Sequence, residues 1–147
     1  QPILLLTPKG REKETVTRLA RVGFDNSLGC LKGGLDAWKK SKRDTDFVNC
    51  IDAENFIKLS KKENLSVLDV RKPREYISEN IPTSKSIPLD FINENMNLFP
   101  KNSTFYIHCA GGYRSMIAAS ILKSRGIHNL IDVKGGFNAI KKANADY

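Results

Sequence analysis

The sequence predicts an α/β fold, a parallel sheet with helices on both faces, preceded by a shorter strand-helix segment. Three observations carry that prediction. Short apolar runs alternate with segments of helical periodicity along the whole chain, and such alternation gives parallel sheets covered on both sides. The run Phe105-Tyr-Ile-His108 stops at a cysteine, passes a glycine pair and an arginine, and re-emerges with Ile117, Ala118, Ile121 and Leu122 at helical spacing. Finally, the first 44 residues echo the last part of the chain.

Taken in order, residues 3–6 read as a strand, 12–21 as a helix, 28–31 as a strand and 35–40 as a short helix. Ser41-Lys-Arg-Asp-Thr-Asp46 is a polar linker, and residues 47–51 begin a second unit. Asp52 stands where an N-cap is expected for a helix over 53–59. Residues 67–70 read as a strand, Pro73 opens a helix through Ile77, and 86–87 form a short strand. Residues 91–98 read as helical, 104–108 as the central strand, 115–125 as a helix, 130–133 as a strand and 137–142 as the last helix.

Between central strand and helix, Gly111 and Gly112 let the backbone curl with its N–H groups inward, and the helix start adds unpaired N–H groups and a positive dipole end. Cys109 is placed at the mouth of that cup, at the carboxyl end of a strand, where such sheets bind ligands. A free thiol titrates near about 8.5, and backbone donors, a helix N-terminus and a cation such as Arg114 all favour the thiolate. Cys109 is therefore expected to react near neutral pH. A persulfide is itself an anion and suits the same donors, with Arg114 holding the oxyanion portion of an incoming donor. The pattern points to sulfur transfer through a covalent intermediate.

Other residues have plainer expectations. His108 precedes the nucleophile, but successive strand residues face opposite sides of a sheet, so it is expected to pack or hydrogen-bond there. Cys30 and Cys50 sit in apolar runs and are expected to be inert, since resolving a persulfide on Cys109 needs sulfurs within bonding distance. Trp38 is expected in a core, and the Tyr113 ring at the entrance of the loop.

The loop Cys109-Ala110-Gly111-Gly112-Tyr113-Arg114 resembles the active-site loop of rhodanese-type sulfurtransferases. Three further segments are similar to the same family in the expected order: Val67-Leu-Asp69-Val-Arg71-Lys-Pro-Arg-Glu75-Tyr, Ile81-Pro-Thr-Ser-Lys-Ser-Ile-Pro88-Leu and Val133-Lys-Gly-Gly136-Phe. The resemblance implies a rhodanese-like sheet over residues 45–147. It implies that Cys109 carries the persulfide, that Ala110, Gly111, Gly112, Tyr113 and Arg114 bind it, and that Asp69 and Arg71 brace the sheet. It implies a thiosulfate or persulfide sulfurtransferase working without a cofactor. The second reading is a non-catalytic persulfide carrier or docking module. Where the family often has Gly-His before the Ile-Pro step, this chain has Glu79-Asn80. Four residues separate Cys109 from Arg114, one fewer than in the cysteine phosphatases that the loop also resembles, and the tighter cup suits a bare sulfur better than a phosphoryl group.

The echo aligns Lys32-Gly-Gly-Leu-Asp-Ala-Trp-Lys-Lys with Lys134-Gly-Gly-Phe-Asn-Ala-Ile-Lys-Lys, Leu19 and Gly23 with Leu122 and Gly126, and Thr7 with Cys109, after a one-residue offset. Residues 1–44 thus resemble the back half of a second rhodanese domain that lacks the nucleophile. The resemblance points to bacterial fusions in which a metallo-β-lactamase-fold persulfide dioxygenase precedes an inactive and then an active rhodanese domain. The chain is expected to be a fragment of such a fusion. It has only His108 and His128 and no His-x-His-x-Asp cluster, so no metal is expected on it.

Composition narrows the partners. No apolar run approaches the roughly 20 residues needed to cross a bilayer, and no basic leader or cleavage-site pattern marks Gln1-Pro-Ile-Leu-Leu-Leu. Three cysteines fit reduced thiols better than a disulfide framework, and a cytoplasmic location is expected. The net charge of +8 comes from scattered lysines whose field would draw in small anionic sulfur donors. No basic stripe interleaved with aromatics suggests nucleic acid. The amino-terminal segment is too small to bury a core, so it is expected to pack on residues 45–147 or to form a homodimer through strand edges.

Overall fold

The computed structural model describes residues 1–145, and these fall into two units, Gln1–Asp46 and the described part of Phe47–Tyr147. The first consists of β1 (Ile3–Leu5), α1 (Glu12–Ala20), β2 (Ser27–Cys30) and α2 (Gly34–Lys40), with β1 and β2 paired in parallel. None of its residues is buried. Trp38, expected in a core, is 36% exposed, with Nε1 donating to Asp44 O at 2.8 Å and Arg43 lying over its ring at 5.3 Å. Two strands and two helices leave too few layers to enclose an indole.

The second unit runs β3 (Asn49–Ile51), α3 (Ala53–Ser60), β4 (Val67–Asp69), α4 (Pro73–Ser78), β5 (Ser84–Ser86), β6 (Phe105–His108), α5 (Tyr113–Ser124), β7 (Leu130–Val133) and α6 (Gly136–Ala145). All five strands are parallel, in the order β3-β7-β6-β4-β5, so β6 is central. The two-residue period of the strands divides the core into two layers. Phe105 and Ile107 pack with Leu68, Val70, Leu130 and Leu122 on the α5 side, whereas Tyr106 packs with Val67, Val133, Phe56 and Ile140 on the side of α3 and α6. Each such large side chain, fully buried, contributes about 1.5–3 kcal/mol.

One more expectation is corrected, and the Asp52 N-cap is found where it was expected. Residues 91–98 form no α-helix but two short 3-10 turns, Leu89–Phe91 and Met96–Leu98. Asn93, Asn95 and Asn97 explain the difference, because asparagine competes for nearby backbone groups; the Asn95 amide donates to Phe91 O at 3.0 Å. Asp52 has the extended backbone of an N-cap, yet its side chain makes no capping bond and instead meets Lys134 Nζ at 3.3 Å.

The internal echo has a geometric counterpart. Tyr106 pairs with Ile131 and Ile107 with Asp132, as Leu4 pairs with Gly29 and Leu5 with Cys30. Ile3 pairs with Ser27 and Leu4 with Gly29, so the offset in the sequence is a bulge at Leu28. Phe24 N–H donates to Leu19 O at 2.9 Å and Ile127 N–H to Leu122 O at 3.0 Å, across glycines at φ +87° and +83°.

Candidate active site

Strand β6 delivers Cys109 to its carboxyl end, 1% exposed, and the Gly112 N–H donates to Cys109 Sγ at 3.1 Å. The cup is shaped from behind by α6. Its first amides turn toward the loop, with Phe137 N–H donating to Cys109 O at 2.7 Å and Asn138 N–H to Ala110 O at 3.0 Å. The C=O and N–H of a trans peptide point in opposite directions. Drawing the Ala110 carbonyl outward therefore turns the Gly111 N–H toward the sulfur. This docking requires Gly136, which sits at φ +58°; a Cβ there would collide with Cys109 O and lie 2.8 Å from Ala110 O.

Burial pushes the Cys109 thiol up, but the Ser115 hydroxyl, the Ser115 N–H and the N–H groups of Gly112 and Gly111 outweigh it, and the thiol is held below its ordinary value. Ser115, the third residue of α5 and fully buried, was not singled out in the sequence, although it directly follows Arg114.

Arg114 was expected to face the donor, and the structure engages it with a residue that sequence reasoning missed. Glu75 of α4 accepts from Arg114 Nη1 at 2.6 Å and Nη2 at 2.9 Å. The same carboxylate accepts from Lys72 N–H at 3.1 Å, and that i to i+3 spacing was the available signal for it. Asp69 and Arg71 form a buried pair, with Arg71 Nη2 donating to Asp69 Oδ2 at 2.6 Å and to Glu79 O at 2.7 Å, and the guanidinium 4.0 Å from the centre of the Phe137 ring. Arg71 thereby ties the sheet to the end of α4 and to α6, the two helices that hold the loop.

The remaining residues fall outside the cup. His108 is buried on the opposite face, with Nδ1 3.3 Å from Cys109 O and its ring stacked on Phe137. Burial depresses its pKa against the opposing pull of Asp69, which favours the neutral ring. Tyr113 is 80% exposed at the start of α5. Cys30 and Cys50, read as parts of apolar runs, are both exposed. Cys50 pairs with Asp132 and Asp132 with Ile107, so two strand spacings, roughly 9.5 Å, separate Cys50 from the strand that carries Cys109. Disulfide partners need Cα atoms within about 7 Å, so Cys50 cannot resolve a persulfide on Cys109 without backbone movement. Among the described residues no cluster suited to a metal is formed, and no helix is long and apolar enough to cross a membrane.

Known proteins share the fold that carries this site. The family model of the rhodanese-like domain matches residues 52–143. YrkF of Bacillus subtilis (strain 168), provisionally named a sulfur carrier protein, is 37% identical over 79 residues, which cover 54% of this chain and 43% of that protein. A protein of Allochromatium vinosum named sulfurtransferase is 31% identical over 93 residues, covering 63% of this chain and 87% of its own. The crystal structure of a rhodanese-like domain protein from Staphylococcus aureus superposes with a TM-score of 0.58 at 36% identity, covering 63% of this chain and 91% of that one. The chain thus spans less than half of the Bacillus relative and most of the other two. The matched region contains the central strand, the cysteine cup and the helix that docks it, and the chain belongs to the rhodanese-like domain family.

Proposed function

We propose that the chain is a sulfurtransferase that moves sulfane sulfur from thiosulfate or a thiol persulfide to a thiophilic acceptor through a persulfide on Cys109. The observation that carries this reading is the Cys109 sulfur seated among inward N–H groups, with Gly112 N–H at 3.1 Å. The Cys109 thiolate attacks the outer sulfur of thiosulfate, an S–S bond forms, and sulfite leaves with the electron pair of the bond that breaks. The terminal sulfur then bears the negative charge and meets the same donors that favour the thiolate. An acceptor thiolate or cyanide attacks that sulfur and returns Cys109 as thiolate. Arg114 gives two of its five N–H groups to Glu75 and keeps others for the sulfonate end of the donor.

Residues 1–44 are read in the same proposal as a half-domain without a nucleophile, with Thr7 in the place of Cys109. A second reading, carriage of sulfur without turnover, is favoured by the provisional name of the Bacillus relative. Thiocyanate formation from thiosulfate and cyanide separates the two. Turnover that disappears in Cys109→Ser is expected; stoichiometric loading of Cys109 without turnover would leave the carrier reading, and no loading would overturn both.

A further inference from the structure

The residue before Cys109 is titratable, fully buried and unused by the sulfur chemistry above. His108 ends β6, and its two ring nitrogens face two acceptors. Nδ1 lies 3.3 Å from Cys109 O, whereas Nε2 lies 3.9 Å from Asp69 Oδ2, beyond hydrogen-bonding distance. Nε2 is buried and has no hydrogen-bond partner among the described residues. The Asp69 carboxylate is itself taken by Arg71, whose backbone N–H, Nε and Nη2 all donate to it.

A carbonyl only accepts, so this geometry decides the tautomer. With its proton on Nδ1 the ring gives Cys109 O a hydrogen bond. With the proton on Nε2, a ring lone pair would face the carbonyl lone pairs at 3.3 Å and the N–H would meet no acceptor within reach. Burial and Arg71 oppose the charged ring against the pull of Asp69, which leaves one proton to place. We propose that His108 is a positioning residue for Cys109, a neutral ring whose Nδ1–H holds the Cys109 carbonyl. This rests on Cys109 as the nucleophile.

A carbonyl oxygen has two lone pairs, and the second donor at Cys109 O is the Phe137 N–H of α6, at 2.7 Å. Both donors belong to one packed group, because the His108 ring stacks on Phe137 with centroids 6.1 Å apart and the Arg71 guanidinium lies 4.0 Å from the centre of the Phe137 ring. The Cys109 carbonyl and the Ala110 N–H share a trans peptide and point in opposite directions. Held toward His108 and α6, the carbonyl therefore turns the Ala110 N–H away from them, toward the cup. His108 acts through this peptide and exchanges no proton with the sulfur. In the first unit the aligned residues are Leu6 and Thr7, so the ring donor and the thiol are missing together. The glycine that lets the helix dock is retained, since Gly34 has the same φ of +58° as Gly136 and an added Cβ would lie 3.1 Å from Thr7 O.

Nitrogen-15 NMR of the histidine rings tests the tautomer directly, with His128→Gln assigning the signals of the two histidines. At about pH 7.5 the His108 ring is expected to carry its proton on Nδ1 and none on Nε2; any other placement, or exchange between the tautomers, overturns the proposal. The consequence for the site is read from the pH dependence of iodoacetamide alkylation at Cys109, followed on its own peptide by mass spectrometry so that Cys30 and Cys50 do not contribute. His108→Leu fills the space without a donor and is expected to raise the midpoint by about half a pH unit to one unit, the worth of one neutral hydrogen bond. His108→Asn, whose amide nitrogen can take the place of Nδ1, is expected to hold the wild-type midpoint. Equal rises in both variants would mark repacking alone, and an unmoved midpoint in His108→Leu would leave the carbonyl bond without effect on the thiol; either overturns the proposal. Should the variants not fold, the ring proton of the wild-type protein decides. Neither readout needs sulfur to move, so absence of thiosulfate loading would count against the sulfurtransferase reading alone.

Discussion

Arg114 and Glu75 are joined by two parallel hydrogen bonds, Nη1 to Oε2 at 2.6 Å and Nη2 to Oε1 at 2.9 Å. The pair links the first turn of α5 to α4, so the rim of the cup is held by a contact between segments 39 residues apart in the chain. A bidentate fork of this kind fixes direction as well as charge, which gives the arginine a structural duty beside the role proposed for it toward an anionic donor.

That duty has a pH signature. The Arg114 hydrogen bonds hold the Glu75 carboxyl at about 2, against its ordinary 4.5. A carboxyl depressed in the folded state stabilises fully above its unfolded value and loses that contribution as pH falls through its folded one. Both side chains are partly exposed, so the effect is on the order of 1 kcal/mol. Urea unfolding at about pH 5.5 and about pH 2.5 is expected to show a smaller acid loss in Glu75→Gln than in wild type. An identical loss in both would mean that the pair contributes nothing.

Arg114→Lys removes the fork and leaves the charge. Thiosulfate turnover is expected to fall well beyond any change in melting temperature, since the loss of a charged hydrogen bond costs about 1.5–3 kcal/mol. Turnover equal to wild type would confine the arginine to holding α4.

Cys109→Ser is nearly isosteric and leaves the N–H groups of the cup in place. Incubation with thiosulfate should add the mass of one sulfur to wild type and none to the variant. Sulfur found on Cys30 or Cys50 in the variant would relocate the chemistry.

Gly136→Ala is expected to be among the most damaging small substitutions. The new Cβ would meet Cys109 O and Ala110 O, and the residue would be held at φ +58°. A destabilisation of about 1–3 kcal/mol should accompany a rise in the pH at which Cys109 alkylates, because the displaced loop no longer turns the Gly111 N–H inward. Gly29→Ala, where no atom lies within 4 Å of the added Cβ, is the matched control. A thiol midpoint unchanged in Gly136→Ala would separate the α6 contact from the acidity of Cys109.

Cys50→Ser is expected to leave sulfur loading and turnover unchanged, and mild oxidation of wild type should give no Cys50–Cys109 disulfide, since two strand spacings separate them. An internal bridge on a peptide map would require the sheet edge to open.

The sequence by itself determined the alternating elements, the central strand, the cysteine at its end and the glycine pair of the loop, because each is written in a local period or in a residue that only one backbone shape requires. It also carried the internal echo, down to an offset that the structure realises as a bulge at Leu28. Tertiary structure decided the rest. Glu75 was visible only as part of a helix start until folding brought it to Arg114, and Asp132 was one residue of the strand over 130–133 until its pairing with Ile107 put it on the Cys109 side of the sheet. Ser115 acquired its buried place from the packing of α5 against that face, and residues 91–98 form 3-10 turns where a helix was expected, with the Asn95 side chain bonding Phe91 O. Contacts between distant segments depend on strand order and register, which arise from how the two core layers fill, and no short window of sequence contains that information.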